Sequence, residues 1–219
     1  MHKNNADLKT YAYDTIKAKI ISCEFAPGAM LNEQTLSGEL AISRTPLREA
    51  LNRLDQDGLI EIIPKKGILV SRISIEALAE IYQVRMEFEP FVTRVAGPYT
   101  DKAALIVFRD RFVEEKDNGS FEELETDTEF HSYLVNSCNN KYIQQLMQKV
   151  LDENKRVMIA TRNKARMTSA RDEHIRVIDL ILLGDYGAAA DAMRDHLLSC
   201  RSSAFSYFMD QSRENGKTK

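Results

Sequence analysis

The apolar positions of the first 75 residues follow two periods. Tyr13, Ile16, Ile20 and Ile21 recur at helical spacing, and the run halts at Phe25-Ala-Pro-Gly28, where proline and glycine break the helix. Glu33, Leu36 and Leu40, at i, i+3 and i+7, predict a short second helix. A third is expected from Arg44 to Asp57. Ser43 is placed to cap it, and Pro46 falls in the first turn, where its missing N–H costs nothing. Leu47, Ala50, Leu51 and Leu54 form its buried face, and Gly58 is placed to end it. The pattern then changes. Leu59–Ile63 and Ile68–Ser71 read as two strands around Pro64-Lys65-Lys66-Gly67. Three helices and a hairpin make a winged helix-turn-helix. Its third helix would enter the major groove of double-stranded DNA, and its hairpin tip would lie on the backbone or in the minor groove.

After Arg72 the strand signals stop. Residues 75–96 form an amphipathic helix through Leu78, Ile81, Tyr82, Arg85, Phe88 and Glu89, ended by Gly97-Pro98. Further helices are expected over Asp101–Asp117, Phe121–Ser137, Lys141–Thr161, Ala170–Leu183 and Tyr186–Tyr207. The expected breaks are Asn118-Gly119, Cys138-Asn139-Asn140, Thr161–Ser169 and Gly184-Asp185, and the polar tail from Gln211 is expected to fray. The fold class is therefore mainly α. An N-terminal winged helix-turn-helix over residues 1–74 is followed by an all-α six-helix bundle over 75–219, large enough for its own core.

Composition narrows the setting. A chain of 219 residues, 43% hydrophobic and 29% charged, fits a globular protein of one or two domains rather than a disordered one. No apolar run approaches the roughly 18–20 residues of a membrane helix, and no secretory leader is expected from Met1–Asp7. Cys23, Cys138 and Cys200 are odd in number and scattered, which argues against a disulfide framework and for the cytoplasm. The net charge of −3 looks wrong for a nucleic-acid binder, but distribution matters more. Residues 1–75 hold 10 Lys and Arg against 9 Asp and Glu; residues 76–219 hold 20 against 24. The N-terminal cations are grouped: Arg44, Arg48 and Arg53 in one segment, Lys65 and Lys66 side by side. DNA binding needs such a local patch, not a basic protein.

The run Phe25-x-Pro27-Gly28-x-x-Leu31-x-Glu33-x-x-Leu36, then Ile42-Ser43-Arg44-Thr45-Pro46-Leu47-Arg48-Glu49-Ala50-Leu51, then Leu54-x-x-Asp57-Gly58-Leu59 and Pro64-x-x-Gly67-x-x-Val70, closely resembles the GntR family of bacterial transcription regulators. Ala41 departs from it, since the family usually has glycine in that turn. The second half resembles the FCD ligand-sensing domain of the FadR subfamily. The matching pieces are Tyr82-x-Val84-Arg85-x-x-Phe88-Glu89, Asp127-x-x-Phe130-His131-x-x-Leu134, Glu173-His174-x-x-Val177-Ile178, Gly184-Asp185 and Met193-x-x-His196-Leu197. The six-helix count is more similar to the shorter, VanR-like branch.

Arg44 and Arg48, one turn apart, share a helix face and suit bidentate contact with guanine. Ser43 and Thr45 offer hydroxyls at the helix start, Gln34 can reach phosphate or a base edge, and Lys65, Lys66 and Gly67 would serve the wing. The resemblance implies that the family uses these positions for its operator contacts. Taken alone, the arginines would read as a solvated face with Glu49.

Of four histidines, three fall in the bundle. Asp127 and His131, at i and i+4, project from one helix face. His174 lies ten residues before Gly184 and His196 eleven after Asp185, so a tight turn at Gly184-Asp185 brings them level on an antiparallel pair. Ala188, Ala189, Ala190 and Ala192 let those helices approach closely. Three imidazoles and a carboxylate suit one divalent Zn, Ni, Fe or Mn per chain, with one or two positions open for a small carboxylate. The FCD resemblance implies ligands at the same places; the alternative is three separate core histidines. Arg85, facing the interior, either binds an effector carboxylate or pairs with Glu89 one turn on.

The expectation is a cytoplasmic homodimeric regulator of operator DNA, not an enzyme and not bound to a membrane. Its metal-containing domain would sense a small organic acid and shift the orientation of two DNA-binding heads. Ligand-relieved repression is the family's habit. Two other readings stay open. One is a metal-responsive regulator; the other is a non-haem metalloenzyme, against which stand the lack of an HExxH motif and of an obvious general base.

Overall fold

The structure is a computed structural model that describes residues 5–114, 121–161 and 164–216. The chain divides into two compact units, Met1–Ile73 and Ser74–Lys219.

The first unit runs α1 (Asn5–Ile21), β1 (Met30–Leu31), α2 (Glu33–Glu39), α3 (Arg44–Gln56), β2 (Ile60–Ile63) and β3 (Gly67–Val70). Its core joins Ala12, Ile16 and Ile20 of α1 to Leu47, Ala50, Leu51 and Leu54 of α3, with Ile60, Ile68 and Val70 of the sheet closing over them. The helical spacing of apolar residues therefore marks the buried faces. Asn32 caps α2 by accepting from the N–H groups of Gln34 (2.8 Å) and Thr35 (3.2 Å). Ser43 occupies the corresponding position before α3 with extended backbone, but its side chain makes no capping bond. The expected cap is thus positional only, and its hydroxyl stays exposed.

Two helices of this unit end in the same six-residue turn. After α3, the Leu59 N–H donates to Leu54 O and the Gly58 N–H to Asp55 O, each at 3.0 Å, with Gly58 at φ +79°. After α2, the Ile42 N–H donates to Ser37 O and the Ala41 N–H to Gly38 O, each at 3.2 Å, and Ala41 takes φ +51°. That is why glycine usually fills this place: an alanine there carries left-handed strain.

The sheet has three strands, not the two expected, in the order β1-β3-β2 and antiparallel throughout. Strand β1 is two residues long, too short for alternation to announce it. Gly67 sits at φ +128°, and a Cβ there would come within 2.9 Å of Leu31 O, so β1 can lie against β3 only because this residue is glycine.

The second unit has six α-helices among its described residues: α4 (Ile75–Ala96), α5 (Lys102–Glu114), α6 (Phe121–Asn136), α7 (Lys141–Thr161), α8 (Lys164–Leu183) and α9 (Tyr186–Gly216). A single 3-10 turn, Gly97–Tyr99, follows α4. Helix α4 packs along α9, which packs along α8; α5 lies on α8 and α6 on α7. The core includes Phe112, Phe130, Met147, Leu151, Val177, Ile178, Met193 and Leu197. Helix α5 is described to Glu114; the rest of the expected span to Asp117, with Asn118-Gly119, lies outside the described residues. Helix α8 begins at Lys164, six residues before the expected start, and α9 stays helical to Gly216 rather than fraying at Gln211. Both stretches are polar, but polarity alone does not break a helix, and neither holds a proline. Between α8 and α9 the chain turns at two residues. Gly184 takes φ +83°, the Asp185 N–H donates to Leu180 O, and Asp185 Oδ1 then caps α9 by accepting from the Ala188 N–H.

Candidate functional site

Each unit presents one site. In the first, an open cleft of about 300 Å³ is lined by Asn32, Glu33, Gln34, Arg44, Arg48, Lys65, Lys66 and Gly67. The structure thus brings α2, the start of α3 and the β2–β3 turn to one surface. Six of the eight expected DNA-binding residues line it. The other two, Ser43 and Thr45, are exposed at the start of α3 beside it. Gln34, Arg44, Arg48, Lys65 and Lys66 are all exposed. Four cations face one carboxylate in this lining, so a chain of net negative charge carries a positive cleft.

That carboxylate escaped the sequence. Glu33 Oε1 accepts from Arg48 Nε at 2.8 Å across fifteen residues of chain. Arg53, grouped in sequence with Arg44 and Arg48, is elsewhere: its guanidinium lies 3.9 Å from the centroid of the Tyr13 ring. The Tyr13 hydroxyl donates to Asp57 Oδ2 at 2.7 Å. Burial, then the bond to Asp57, push the Tyr13 pKa up to about 12.

In the second unit, the tight α8–α9 turn does bring His174 and His196 level, with ring centroids 4.2 Å apart. Asp127 and His131 of α6 meet them. One donor atom from each of the four lies within 4.8 Å of every other. His131 Nε2 is 3.1 Å from His174 Nε2, and Asp127 Oδ2 is 3.4 Å from His174 Nε2. Donors held about 2.1 Å from a shared ion are themselves about 3.0–3.4 Å apart, so both spacings fit one metal. All four residues are buried, from 8% exposed for Asp127 to 1% for His174 and His196.

Two carboxylates that spacing did not mark as partners orient the imidazoles. Glu89 Oε2 lies 2.5 Å from Nδ1 of His131, and Glu173 Oε2 lies 2.8 Å from Nδ1 of His196. Each contact turns Nδ1 away and leaves Nε2 as the atom facing the cluster, the usual second partner of a metal-binding histidine. The His174 ring stacks on Phe112, centroids 4.7 Å apart, with Phe130 edge-on at 5.5 Å.

Arg85 is 1% exposed and grips Glu89 with two donors: Nε to Oε1, and Nη2 to Oε2 at 3.3 Å. The pairing with Glu89, one of the two readings open in sequence, is therefore present. Burial opposes charge on Glu89, but Arg85 and His131 outweigh it and hold the carboxyl well below its ordinary range. Burial likewise opposes charge on Arg85, and Glu89 overcomes it. Tyr82, with its ring 5.5 Å from the Arg85 guanidinium, is buried core and its pKa is raised by that burial.

Comparison with known proteins agrees with both halves. Residues 8–70 match the gntR family of bacterial regulatory proteins, and residues 80–199 match the FCD domain. The Nta operon transcriptional regulator of Aminobacter aminovorans is 33% identical over 143 residues, 64% of this chain and 67% of that protein. Among solved structures, a GntR transcriptional regulator from Rhodococcus sp. RHA1 superposes with a TM-score of 0.78 at 23% identity, covering 90% of this chain and 97% of its own. The metal-free FCD domain of TM0439 superposes with a TM-score of 0.56 at 17% identity, covering 62% of this chain and 96% of its own. The chain belongs to the GntR family of DNA-binding bacterial transcription regulators, and its second unit carries the FCD domain.

Proposed function

We propose that residues 1–74 read an operator in double-stranded DNA and that residues 75–219 hold one divalent metal and sense a small carboxylate. The observation that carries the second half is the convergence of Asp127, His131, His174 and His196 in a buried cluster. Three imidazoles and one carboxylate suit Zn, Ni, Fe or Mn. When bound, the metal supplies a fixed positive charge that can take an oxygen of an anionic effector. The chain's own residues do the rest. Glu89 and Glu173 hold His131 and His196 with Nε2 presented. Phe112 and Phe130 pack His174 in an apolar wall. Arg85 spends two N–H groups on Glu89, and its others are the candidate contact for the effector carboxylate.

On the DNA side, Arg44 and Arg48 would read guanine in the major groove. Gln34, Ser43 and Thr45 would reach phosphate or base edges, and Lys65, Lys66 and Gly67 would place the wing on the backbone. Helix α3 is short, with 13 residues, and can read only a few base pairs. A homodimer on a near-palindrome would double the contact. This regulator would work in the cytoplasm, without catalytic turnover; among the described residues no helix is long and apolar enough to cross a membrane.

Elemental analysis of tag-free protein, purified without chelator, tests the metal. About one ion per chain, lost in His174→Ala, is the expected result. No metal after incubation with Zn²⁺, Ni²⁺ or Mn²⁺ would refute it. Operator footprinting with Arg48→Ala tests the reading helix: protection should be lost, and unchanged protection would refute the assignment.

A further inference from the structure

We propose that Glu33 is a positioning residue for sequence reading: it aims the Arg48 guanidinium at a base edge and withholds it from DNA phosphates. This rests on the reading of α3 given above and adds to it a residue of this chain that acts through Arg48. Glu33 is the first residue of α2. Asn32 fixes the start of that helix by accepting from the N–H groups of Gln34 and Thr35. From there Glu33 Oε1 reaches across to α3 and accepts from Arg48 Nε at 2.8 Å. Both residues line the cleft with Gln34, Arg44, Lys65 and Lys66, and Glu33 is the one carboxylate among them. The two acidic residues of α3 turn elsewhere: Glu49 to Lys9 at 3.4 Å, and Asp55 to the Ile62 N–H at 3.0 Å.

A guanidinium carries five N–H groups, one on Nε and two on each Nη. With the Arg48 Nε–H committed to Glu33, the side-on fork of Nε and Nη2 is closed. The end-on fork, one N–H from each Nη, stays open, and it matches the O6 and N7 acceptors of guanine. Those acceptors are neutral and leave Glu33 in place. A phosphate is an anion, so it meets the Glu33 carboxylate as a like charge and must displace it to take the whole guanidinium. Glu33 therefore penalises the sequence-independent contact more than the sequence-reading one, and discrimination between sites arises from that difference. The pair is open to solvent, with side-chain exposures of 63% for Arg48 and 32% for Glu33, so its own worth to stability is small. Its effect belongs to DNA binding.

The test uses full-length protein and two labelled duplexes of equal length, one selected by the natural protein from a random-sequence pool and one of random sequence. Binding is read by fluorescence anisotropy at several salt concentrations. Single base-pair exchanges in the selected duplex, compared with Arg48→Ala, locate the G·C pair that Arg48 reads, where exchange should cost the natural protein about 5- to 150-fold in affinity. In Glu33→Ala that penalty should shrink, random DNA should bind more tightly, and the slope of log K against log salt should steepen by about 0.9, one added phosphate contact. In an Arg48→Ala background the same change should leave the slope as it was. Glu33→Gln keeps an oxygen for Nε without the charge, so it should retain the base-pair penalty; unchanged circular dichroism controls for misfolding. A penalty that keeps its natural size in Glu33→Ala, or random-DNA binding that does not tighten, would overturn the proposal and leave Arg48 as the reader. A steeper slope that persists without Arg48 would overturn it equally. If no base pair depends on Arg48, the reading of α3 itself fails, and this proposal with it.

Discussion

Removing half of the buried Arg85–Glu89 pair should cost far more than removing all of it. The two side chains are 2% and 3% exposed, so neither charge has water to fall back on. In Glu89→Leu the guanidinium keeps its desolvation penalty and loses the carboxylate that offset it. Breaking a buried pair in this way costs about 3–5 kcal/mol. At roughly 2–4 °C per kcal/mol for a chain of this size, Tm should fall by about 6–20 °C. The double variant Arg85→Met/Glu89→Leu leaves no orphaned charge. It should lie within about 1–2 kcal/mol of the natural protein, since well-packed apolar replacements of buried pairs are often neutral. Both variants lose the Glu89 contact to His131, so that contact cancels in the comparison. The assay is urea denaturation followed by far-ultraviolet circular dichroism, in chelator so that metal linkage does not contribute. If Glu89→Leu proves as mild as the double variant, the pair is not desolvated as the structure shows, and the reasoning fails.

Three further outcomes follow from named contacts. Ala41→Gly should stabilise the first unit by about 0.5–1 kcal/mol, as relief of left-handed strain at φ +51° exceeds the added freedom of the unfolded chain; a loss of stability in the same urea assay would contradict this. Glu173→Gln should leave the fold intact but weaken metal binding by about 10–100-fold, because His196 loses the carboxylate on Nδ1; competition with a chromophoric chelator would read it, and equal affinity would refute the positioning role. Because the folded Tyr13 pKa is raised above its ordinary value of 10.0 to about 12, its contribution is complete below pH 10 and is lost as pH rises toward 12. Tyr13→Phe should therefore lose less stability than the natural protein between pH 10 and pH 12, and parallel pH profiles would show that neither burial nor the Asp57 bond raises the Tyr13 pKa.

What the sequence by itself determined is whatever depends on neighbours along one chain. Apolar spacing placed Leu47, Ala50, Leu51 and Leu54 on the buried face of α3, because side chains three and four apart share a helix face. Gly184-Asp185 marked a two-residue turn, and counting residues on its arms brought His174 and His196 to one level, because helical rise per residue is nearly constant. Asp127 and His131 were legible for the same reason. Tertiary structure alone decided what meets across the bundle. The Glu33–Arg48 bond spans fifteen residues, the Glu173 contact to His196 twenty-three, and neither spacing encodes a side-chain direction. Strand β1 exists only because β3 offers it an edge beside Gly67. Arg85 had two partners available in sequence. That both Arg85 and Glu89 lie sealed from water, 1% and 2% exposed, and so each offsets the other's desolvation, was decided only by the packed bundle.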